Sequence, residues 1–534
     1  MPQDSAVTSA VPSGKPKADP TGSWQASLVR LGLGLLFVLA TLVYVAWFRE
    51  GQPSLVLVMA AVFGAYMAMN IGANDVANNV GPAVGSKVLT LGGALLIAAV
   101  FEAAGALIAG GEVVGTIRSG IINPALIPDG QTFVWAMMAA LLAAAVWLNI
   151  ASAVGAPIST THSIVGGVLG GGIAASGLAV VNWPVMGNIV MSWLVSPLMG
   201  ATIAAGFLYL IKRTITYRQD MVSAARNRVP VLVAVMAWAF STYLLVKGVN
   251  KLIPVSFVAA VALGLASAIA VYFIARGAVL KRVGELENSK AGINRLFGLP
   301  LVFAAALLSF AHGSNDVANA IGPLAAIVDV VSNAGAIHGN APIPFWVMAI
   351  GALGIAVGLA LYGPRVIRTV GTEITELDPM RAYCIAMAAT LTVILASQLG
   401  LPVSTTHVSV GAVFGVGFLR EFLKTNYSLI VAEIKSHHPE GDQAALDAFM
   451  ARFTAATMED RGAMLAKLKQ DFKQKQGPDY LEKSERKLLR KAHRKELVKR
   501  SLMLRIVAAW IITVPASALL ATLLFYTLRG MLLE

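Results

Sequence analysis

Carboxylate and amide side chains occur together in two short stretches of an otherwise apolar chain. "GANDVANNVGP" at 72–82 returns as "GSNDVANAIGP" at 313–323, at a constant offset of 241. The repeated polar residues are Asn74/Asn315, Asp75/Asp316 and Asn78/Asn319. Their oxygens are hard ligands suited to Na⁺ or another hard cation. Since an aspartate inside a bilayer is costly, each motif predicts a functional site. A buried hydrogen-bond network joining the two stretches is the structural alternative.

A second motif, S-T-T-H, also occurs twice, at 159–162 and 404–407. The prolines Pro157 and Pro402 are placed to end any preceding helix, and the hydroxyls can cap the glycine-rich helix that follows. A helix start offers free N–H groups and a positive dipole end, which suit an anion. Two facing starts would cage a small tetrahedral oxyanion, and simple helix capping is the alternative. The candidate donors are Ser159, Thr160, Thr161, Ser404, Thr405 and Thr406.

Further residues carry weaker signals. Glu102, the other intramembrane acid, is a candidate cation ligand, coupling proton site or structural hydrogen-bonding group. Gly72 and Gly313 are predicted to interrupt their helices and free backbone carbonyls as ligands. The two G-x-x-x-G pairs, at 166–170 and 411–415, predict close helix crossings. The two histidines of the S-T-T-H motifs are interpreted as hydrogen-bonding groups at helix ends rather than metal ligands.

The elements that must position these residues are membrane helices. The 534-residue chain is 57% hydrophobic and only 13% charged, whereas soluble domains have about 25% charged residues. Apolar runs of about 20 residues are typical of bilayer-spanning helices. We therefore predict an all-α integral membrane protein with about 12–13 transmembrane segments, some of them broken or re-entrant. The predicted segments are roughly 31–48, 54–72, 91–110, 133–153, 162–180, 188–211, 229–249, 253–275, 298–312, 345–363, 382–400, 403–420 and 504–528.

Basic loops set the orientation of these segments. Clusters of Lys and Arg at 212–228, 276–295, 365–381 and 424–505 are separated by two spans each, so one threading places all four in the cytoplasm. It puts the N-terminus inside and the C-terminus outside. Counting from the 54–72 span, seven spans begin before the 298–312 span is reached. An odd number of spans reverses the direction in which the chain crosses the membrane. The sequence therefore predicts two inverted-topology repeats with a site at their interface.

This threading divides the chain into seven segments. They are a disordered tail at 1–29, an extra N-terminal transmembrane helix at 30–50, a first transport repeat at 54–212, connecting helices and basic cytoplasmic loops at 213–297, a second repeat at 298–423, a basic soluble cytoplasmic helical segment at 424–503, and a C-terminal transmembrane helix at 504–534. The 424–505 stretch has 18 Lys/Arg against 11 Asp/Glu. Its basic residues interleave with acids and leucines, which disfavours nucleic-acid binding. Regulation, homodimer formation and packing on the cytoplasmic face are its candidate roles.

The paired motifs resemble the signatures of the inorganic phosphate transporter (PiT) family. The resemblance covers roughly 54–212 and 298–420 and implies phosphate import coupled to a cation gradient, by alternating access between inverted repeats. It implies cation binding or coupling, with Na⁺ as the metal ion, at Asp75, Asn78, Asp316 and Asn319. It implies phosphate binding by the six hydroxyl residues listed above. Asn74 and Asn315 are assigned to phosphate and can also serve the cation, and Glu102 matches a family glutamate linked to transport.

One departure from the family pattern leaves the coupling ion open. Sodium-coupled members often carry a glutamate where this chain has Ala386. Na⁺-coupled import is the leading hypothesis, and proton-coupled symport of a neutral metal–phosphate complex is the alternative. An anion channel would not need duplicated carboxylates. With no activated nucleophile or complete metal site in view, an enzyme is not expected. The expected partners are phosphate, the coupling cation and the lipid bilayer, with no bound cofactor, in a bacterial plasma membrane.

Overall fold

The structure is a computed structural model of the whole chain. It describes residues 24–48, 54–153, 158–336, 341–373, 377–424 and 500–532, with a few isolated positions between 447 and 467. The predicted disordered tail up to residue 23 and most of the predicted cytoplasmic segment at 424–503 lie outside the described residues. Helix α1 begins at Trp24, so the predicted tail is too long by six residues.

The described chain is helical, which confirms the predicted all-α class. The helices are α1 Trp24–Val43, α2 Leu55–Gly85, α3 Leu91–Ala109, α4 Gly111–Gly115, α5 Gly130–Ala153, α6 Thr160–Ser176, α7 Trp183–Ile211, α8 Met221–Lys247, α9 Phe257–Val283, α10 Lys290–Leu296, α11 Gly298–Asp316, α12 Ala318–Ser332, α13 Phe345–Glu373, α14 Pro379–Gln398, α15 Thr405–Lys424 and α16 Arg500–Leu532. Within the described ranges, nine helical segments are long and apolar enough to cross a membrane.

Helices α5 and α6 pack together as a hairpin. An isolated antiparallel bridge joins Ile122, which precedes α5, to Val181, which follows α6. Asn123 N donates to Val180 O at 2.7 Å, and Asn182 N donates to Ile121 O at 2.9 Å. Because the chain leaves the hairpin beside the point where it entered, the S-T-T-H turn between the two helices lies at the buried tip. Helices α14 and α15 also pack against each other, on either side of the second S-T-T-H turn.

The two G-x-x-x-G pairs lie at equivalent helix crossings. A Cβ at Gly166 or Gly170 would collide with the carbonyls of Val514 and Ala518 on α16. A Cβ at Gly411 or Gly415 would collide with the carbonyls of Pro197 and Ala201 on α7. The hairpin of α5 and α6 thus packs on α16, which follows the second hairpin, and the hairpin of α14 and α15 packs on α7, which follows the first hairpin. This exchange confirms the predicted close crossings.

Gly72 and Gly313 have a different role from the predicted helix break. Helix α2 continues through Gly72, and α11 continues through Gly313 to Asp316. A Cβ at Gly72 would collide with the carbonyl of Ile355 on α13, and one at Gly313 with the carbonyl of Glu102 on α3. The prediction was wrong because these glycines serve helix–helix approach rather than turning. The helix boundary in the second repeat lies at Val317.

A hairpin of α8 and α9 connects the two repeats. Asn288, after α9, donates its side-chain amide to Gln219 O at 2.8 Å, and its Oδ1 accepts from Met221 N at 2.8 Å. The two basic loops that flank this hairpin therefore lie side by side. Their adjacency agrees with a threading that places both on one face of the membrane.

Candidate functional site

The helix starts of α6 and α15 meet inside the bundle. Ser159 Oγ accepts from His162 N at 3.0 Å, and Ser404 Oγ accepts from His407 N at 3.2 Å, so both serines cap as predicted. Thr161 Oγ1 donates across to Val403 O at 3.0 Å. The two tips therefore present their first N–H groups to one shared interior region.

The remaining threonine hydroxyls hold the two aspartates. Thr160 Oγ1 lies 2.8 Å from Asp75 Oδ2 and 3.2 Å from Asp316 Oδ2, so its single proton can serve either carboxylate. Thr405 Oγ1 donates to Asp316 Oδ2 at 3.3 Å, and Thr406 Oγ1 donates to Asp75 Oδ1 at 2.9 Å. Both aspartates are fully buried. The structure thus brings together the N-D and S-T-T motifs of both repeats.

The motif asparagines surround this centre in pseudo-symmetric pairs. Asn78 Nδ2 donates to Thr406 Oγ1 at 2.8 Å, and Asn319 Nδ2 donates to Thr161 Oγ1 at 3.1 Å. Asn74 Nδ2 bonds Ile158 O at 2.8 Å and also lies 2.8 Å from Asp75 Oδ1. Asn315 Nδ2 bonds Ser397 Oγ at 2.8 Å and Leu401 O at 3.3 Å.

His312 lies between the two aspartates. Its Nε2 is 3.6 Å from Asp75 Oδ2 and 3.4 Å from Asp316 Oδ2. One ligand atom from each of these three residues lies within 4.8 Å of the others. Two ionised carboxylates this close and out of water are stabilised by a positive charge between them, such as a protonated imidazole or a metal ion. The donor set therefore fits a small cation.

Glu102 extends this centre in one direction. Its Oε2 lies 3.2 Å from His312 Nδ1, and its Oε1 accepts from Asn79 Nδ2 at 2.7 Å. The imidazole is thus in contact with Glu102 on one side and with both aspartates on the other. Glu102 thus makes the kind of hydrogen bond that the structural alternative predicts, and it also contacts the imidazole that lies between the two aspartates.

Several buried oxygens in the centre lack a hydrogen-bond donor. Among the described residues, four side-chain oxygens of the two N-D motifs have no hydrogen-bond partner: Asn79 Oδ1, Asn315 Oδ1, Asp316 Oδ1 and Asn319 Oδ1. Three of these four belong to the second motif. Buried acceptors are almost always satisfied, so unsatisfied ones need an explanation. Hard oxygen atoms without donors are what a hard cation requires as ligands.

The motif histidines contact aromatic rings. The ring of His162 lies 3.8 Å from Trp193 and 4.4 Å from His407, and His407 stacks on Trp510 at 3.5 Å. Each histidine donates its backbone N–H to the capping serine of its own motif, which agrees with the predicted hydrogen-bonding role at the helix ends.

Comparisons with known proteins decide the class of the molecule. Residues 71–521 match the Phosphate transporter family. The chain belongs to that family. A protein of Helicobacter pylori strain J99 named as a phosphate permease is 51% identical over 511 residues, which cover 94% of this chain and 96% of the relative. One of Pyrococcus abyssi, also named as a phosphate permease, is 39% identical over 70% of this chain and 91% of its own length.

A solved structure agrees with this assignment. The protein titled the sodium-dependent phosphate transporter superposes with a TM-score of 0.72 and 30% identity, covering 90% of this chain and all of that one. The chain is accordingly a multi-pass phosphate transporter of the plasma membrane, and its activity is transport rather than catalysis.

Two members of this phosphate transporter's centre were missed at the sequence level. His312 stands four residues before Asp316, a spacing that puts both on one helix face, so the stretch "HGSND" carried a usable signal. Asn79 extends the first motif, but its partner Glu102 lies on the next helix. Ala386 is buried in α14, where its carbonyl accepts from Thr390 Oγ1 at 2.7 Å.

Proposed function

We propose that the chain imports inorganic phosphate together with a cation, Na⁺ in the first instance, by alternating access. The observation that carries this proposal is the pair of buried carboxylates, Asp75 and Asp316, set between two capped helix starts. An anion-binding element and a cation-binding element then share one enclosed centre. A symporter needs this proximity, because each ion stabilises the other in a site away from water.

The cation is assigned to Asp75, Asn78, Asp316 and Asn319, with Glu102 as a coupling residue. The donor-free oxygens of Asp316 and Asn319 support this assignment, since a bound cation would satisfy them. Glu102 contacts His312, so a third carboxylate lies one residue away from the proposed cation ligands. Neutralising these charges with Na⁺ would favour the approach of an anion.

Phosphate is assigned to Ser159, Thr160, Thr161, Ser404, Thr405 and Thr406, together with Asn74 and Asn315. In the described arrangement three of these hydroxyls donate to Asp75 or Asp316. When cations hold the carboxylates, the hydroxyls become available to phosphate oxygens. The first N–H groups of α6 and α15 add donors without adding charge. A donor cage without arginine can release its anion after the site opens.

Alternating access is supported by the way the two hairpin tips meet. The rings of His162 and His407 contact each other where the repeats join, and Asp75 and Asp316 are shut off from both faces. Each hairpin packs on the helix that follows the other hairpin. Rocking one repeat against the other about this junction would open the centre to one face at a time.

Uptake into proteoliposomes tests the proposal. Purified protein is reconstituted, and radiolabelled phosphate is followed under an imposed Na⁺ gradient, a proton gradient, or neither. We expect concentrative uptake with the Na⁺ gradient alone. Uptake driven only by protons, and only with Mg²⁺ or Ca²⁺ present, would instead establish metal–phosphate symport. Equal downhill flux under every gradient would identify a channel.

A further inference from the structure

A large apolar crevice lies between the connecting hairpin and the transport repeats. It has a volume of about 510 Å³ and is lined by α3, α8, α9, α10 and α11. Its floor includes Val229, Met236 and Leu307, which are buried. Native interiors are close-packed, and an unfilled space of this size costs packing energy. Because the lining offers so few polar partners, ordered water is a poor filler.

The crevice opens sideways toward the bilayer. Ile274, Leu299 and Phe303 line it and are nevertheless exposed, at 72%, 44% and 51% of their surface. Its lining on α9 runs from Val271 to Arg282, a rise of about 16 Å at 1.5 Å per residue. Half of the hydrocarbon core of a bilayer is about 15 Å thick. The crevice therefore has the length of one leaflet and an entrance from it.

A positively charged side chain, that of Arg282, lies at one end of this crevice. Arg282 lines it and is exposed, and no hydrogen bond or ion pair engages its side chain within the described ranges. The positive-inside rule puts this end of α9 on the cytoplasmic face. Arginine there suits the phosphate of a lipid headgroup and binds it strongly. The same charge disfavours the basic 424–505 stretch as an occupant.

We propose that the crevice is a binding site for one anionic phospholipid of the cytoplasmic leaflet. One acyl chain lies between α8–α9 and α3–α11, and the headgroup phosphate pairs with Arg282. Phe101, which lines the crevice, is next to Glu102 on α3. The lipid therefore fills the space behind a helix that carries part of the ion centre.

Native mass spectrometry of the full-length protein in detergent tests this site. Phosphatidylglycerol and phosphatidylcholine with identical acyl chains are titrated separately. We expect one saturable phosphatidylglycerol per protomer and weaker retention of phosphatidylcholine. Arg282→Gln should weaken phosphatidylglycerol binding about tenfold. Arg276→Gln, an exposed change on the same helix outside the crevice, should not. Equal losses in the two variants would overturn the headgroup assignment.

Filling the crevice tests the acyl-chain part. Ala278→Phe places a ring inside it and should abolish retention, whereas Ala270→Phe adds the same bulk on the exposed side of α9. Unchanged retention in Ala278→Phe would refute the site. A photoreactive phosphatidylglycerol on the wild-type protein gives a readout that does not depend on the variant's folding. Labels should fall on the crevice lining, and labels spread over Leu263, Leu265 and Ile269 would contradict the proposal.

Discussion

The two repeats share one packing frame but differ in what it encloses. Around Gly313, the first repeat's Glu102 meets His312, and Asn79 bonds Glu102. The equivalent positions around Gly72 are Ile355, Ile71 and Ala320, all buried and apolar. Equivalent pairs recur at constant offsets, 241 for the N-D helices and 253 for the facing helices. Duplication therefore preserved the helix approach and the two aspartates, while a third carboxylate and an imidazole occur on one side only.

This difference shows which residues offset the free-energy cost of burying a third carboxylate. An unpaired buried carboxylate costs several kcal/mol, so Glu102 can stand in the membrane only beside His312 and Asn79. The apolar counterparts need no such partners. If the pseudo-symmetric aspartates hold the cation as proposed, the one-sided cluster of Glu102, His312 and Asn79 makes the two halves of that site chemically unequal.

The largest expected effect comes from the residues that the repeats share. Asp75→Asn and Asp316→Asn each remove one charge from a buried, mutually stabilised group. Such a change typically costs about 3–5 kcal/mol of interaction free energy. We expect phosphate uptake under an imposed Na⁺ gradient to fall by about 100-fold or more in both. Asp220→Asn is the matched control, because this exposed residue caps α8 and asparagine caps equally well. Loss in only one of the two site variants would show that the repeats contribute unequally.

The next effect concerns the one-sided cluster. Glu102→Gln and His312→Gln should each lower uptake about 10- to 100-fold, as expected for groups that support ion ligands. The double variant should lose little more than either single variant, because the two side chains act as a pair. Glu112→Gln, at an acid that is half exposed and pairs with Lys247, should remain near wild type. If the losses of uptake were instead additive, Glu102 and His312 would act independently of each other.

The shared frame itself can be tested by stability. Gly72→Ala and Gly313→Ala each push a methyl group into a facing carbonyl and should lower the free energy of unfolding by about 1–3 kcal/mol. At Gly206 on α7 an added methyl group meets open space, so Gly206→Ala should raise the free energy of unfolding, by at most about 1 kcal/mol, because alanine favours a helix over glycine. Thermal unfolding in detergent measures all three. If only one of the two glycine variants lost stability, the two helix crossings would not be equivalent.

The smallest expected effect lies at the equivalent tryptophans, Trp193 and Trp510. Trp193 Nε1 donates to Pro402 O at 3.1 Å, whereas Trp510 Nε1 has no hydrogen-bond partner among the described residues. Trp193→Phe should lower the unfolding free energy by about 1 kcal/mol more than Trp510→Phe. Chemical denaturation of the two variants in the same detergent is the measurement. Equal losses would mean that stacking on the histidines outweighs the hydrogen bond.

The sequence by itself determined the membrane class, the repeated motifs and the capping serines. These are local properties: apolar length, identical residue order, and a hydroxyl placed before a helix. The same local logic failed at Gly72 and Gly313. A glycine in isolation predicts a turn or a close approach equally well, and only the neighbouring helix shows which applies.

Only the tertiary structure decided which residues face one another. Glu102 and His312 are 210 positions apart, and nothing in their local sequence pairs them. Their contact depends on α3 and α11 crossing at Gly313, where the missing side chain lets the backbones approach. The same crossing at Gly72 brings Ile355 beside α2 instead. Contacts between distant helices are set by packing of whole faces, which a single sequence does not encode position by position.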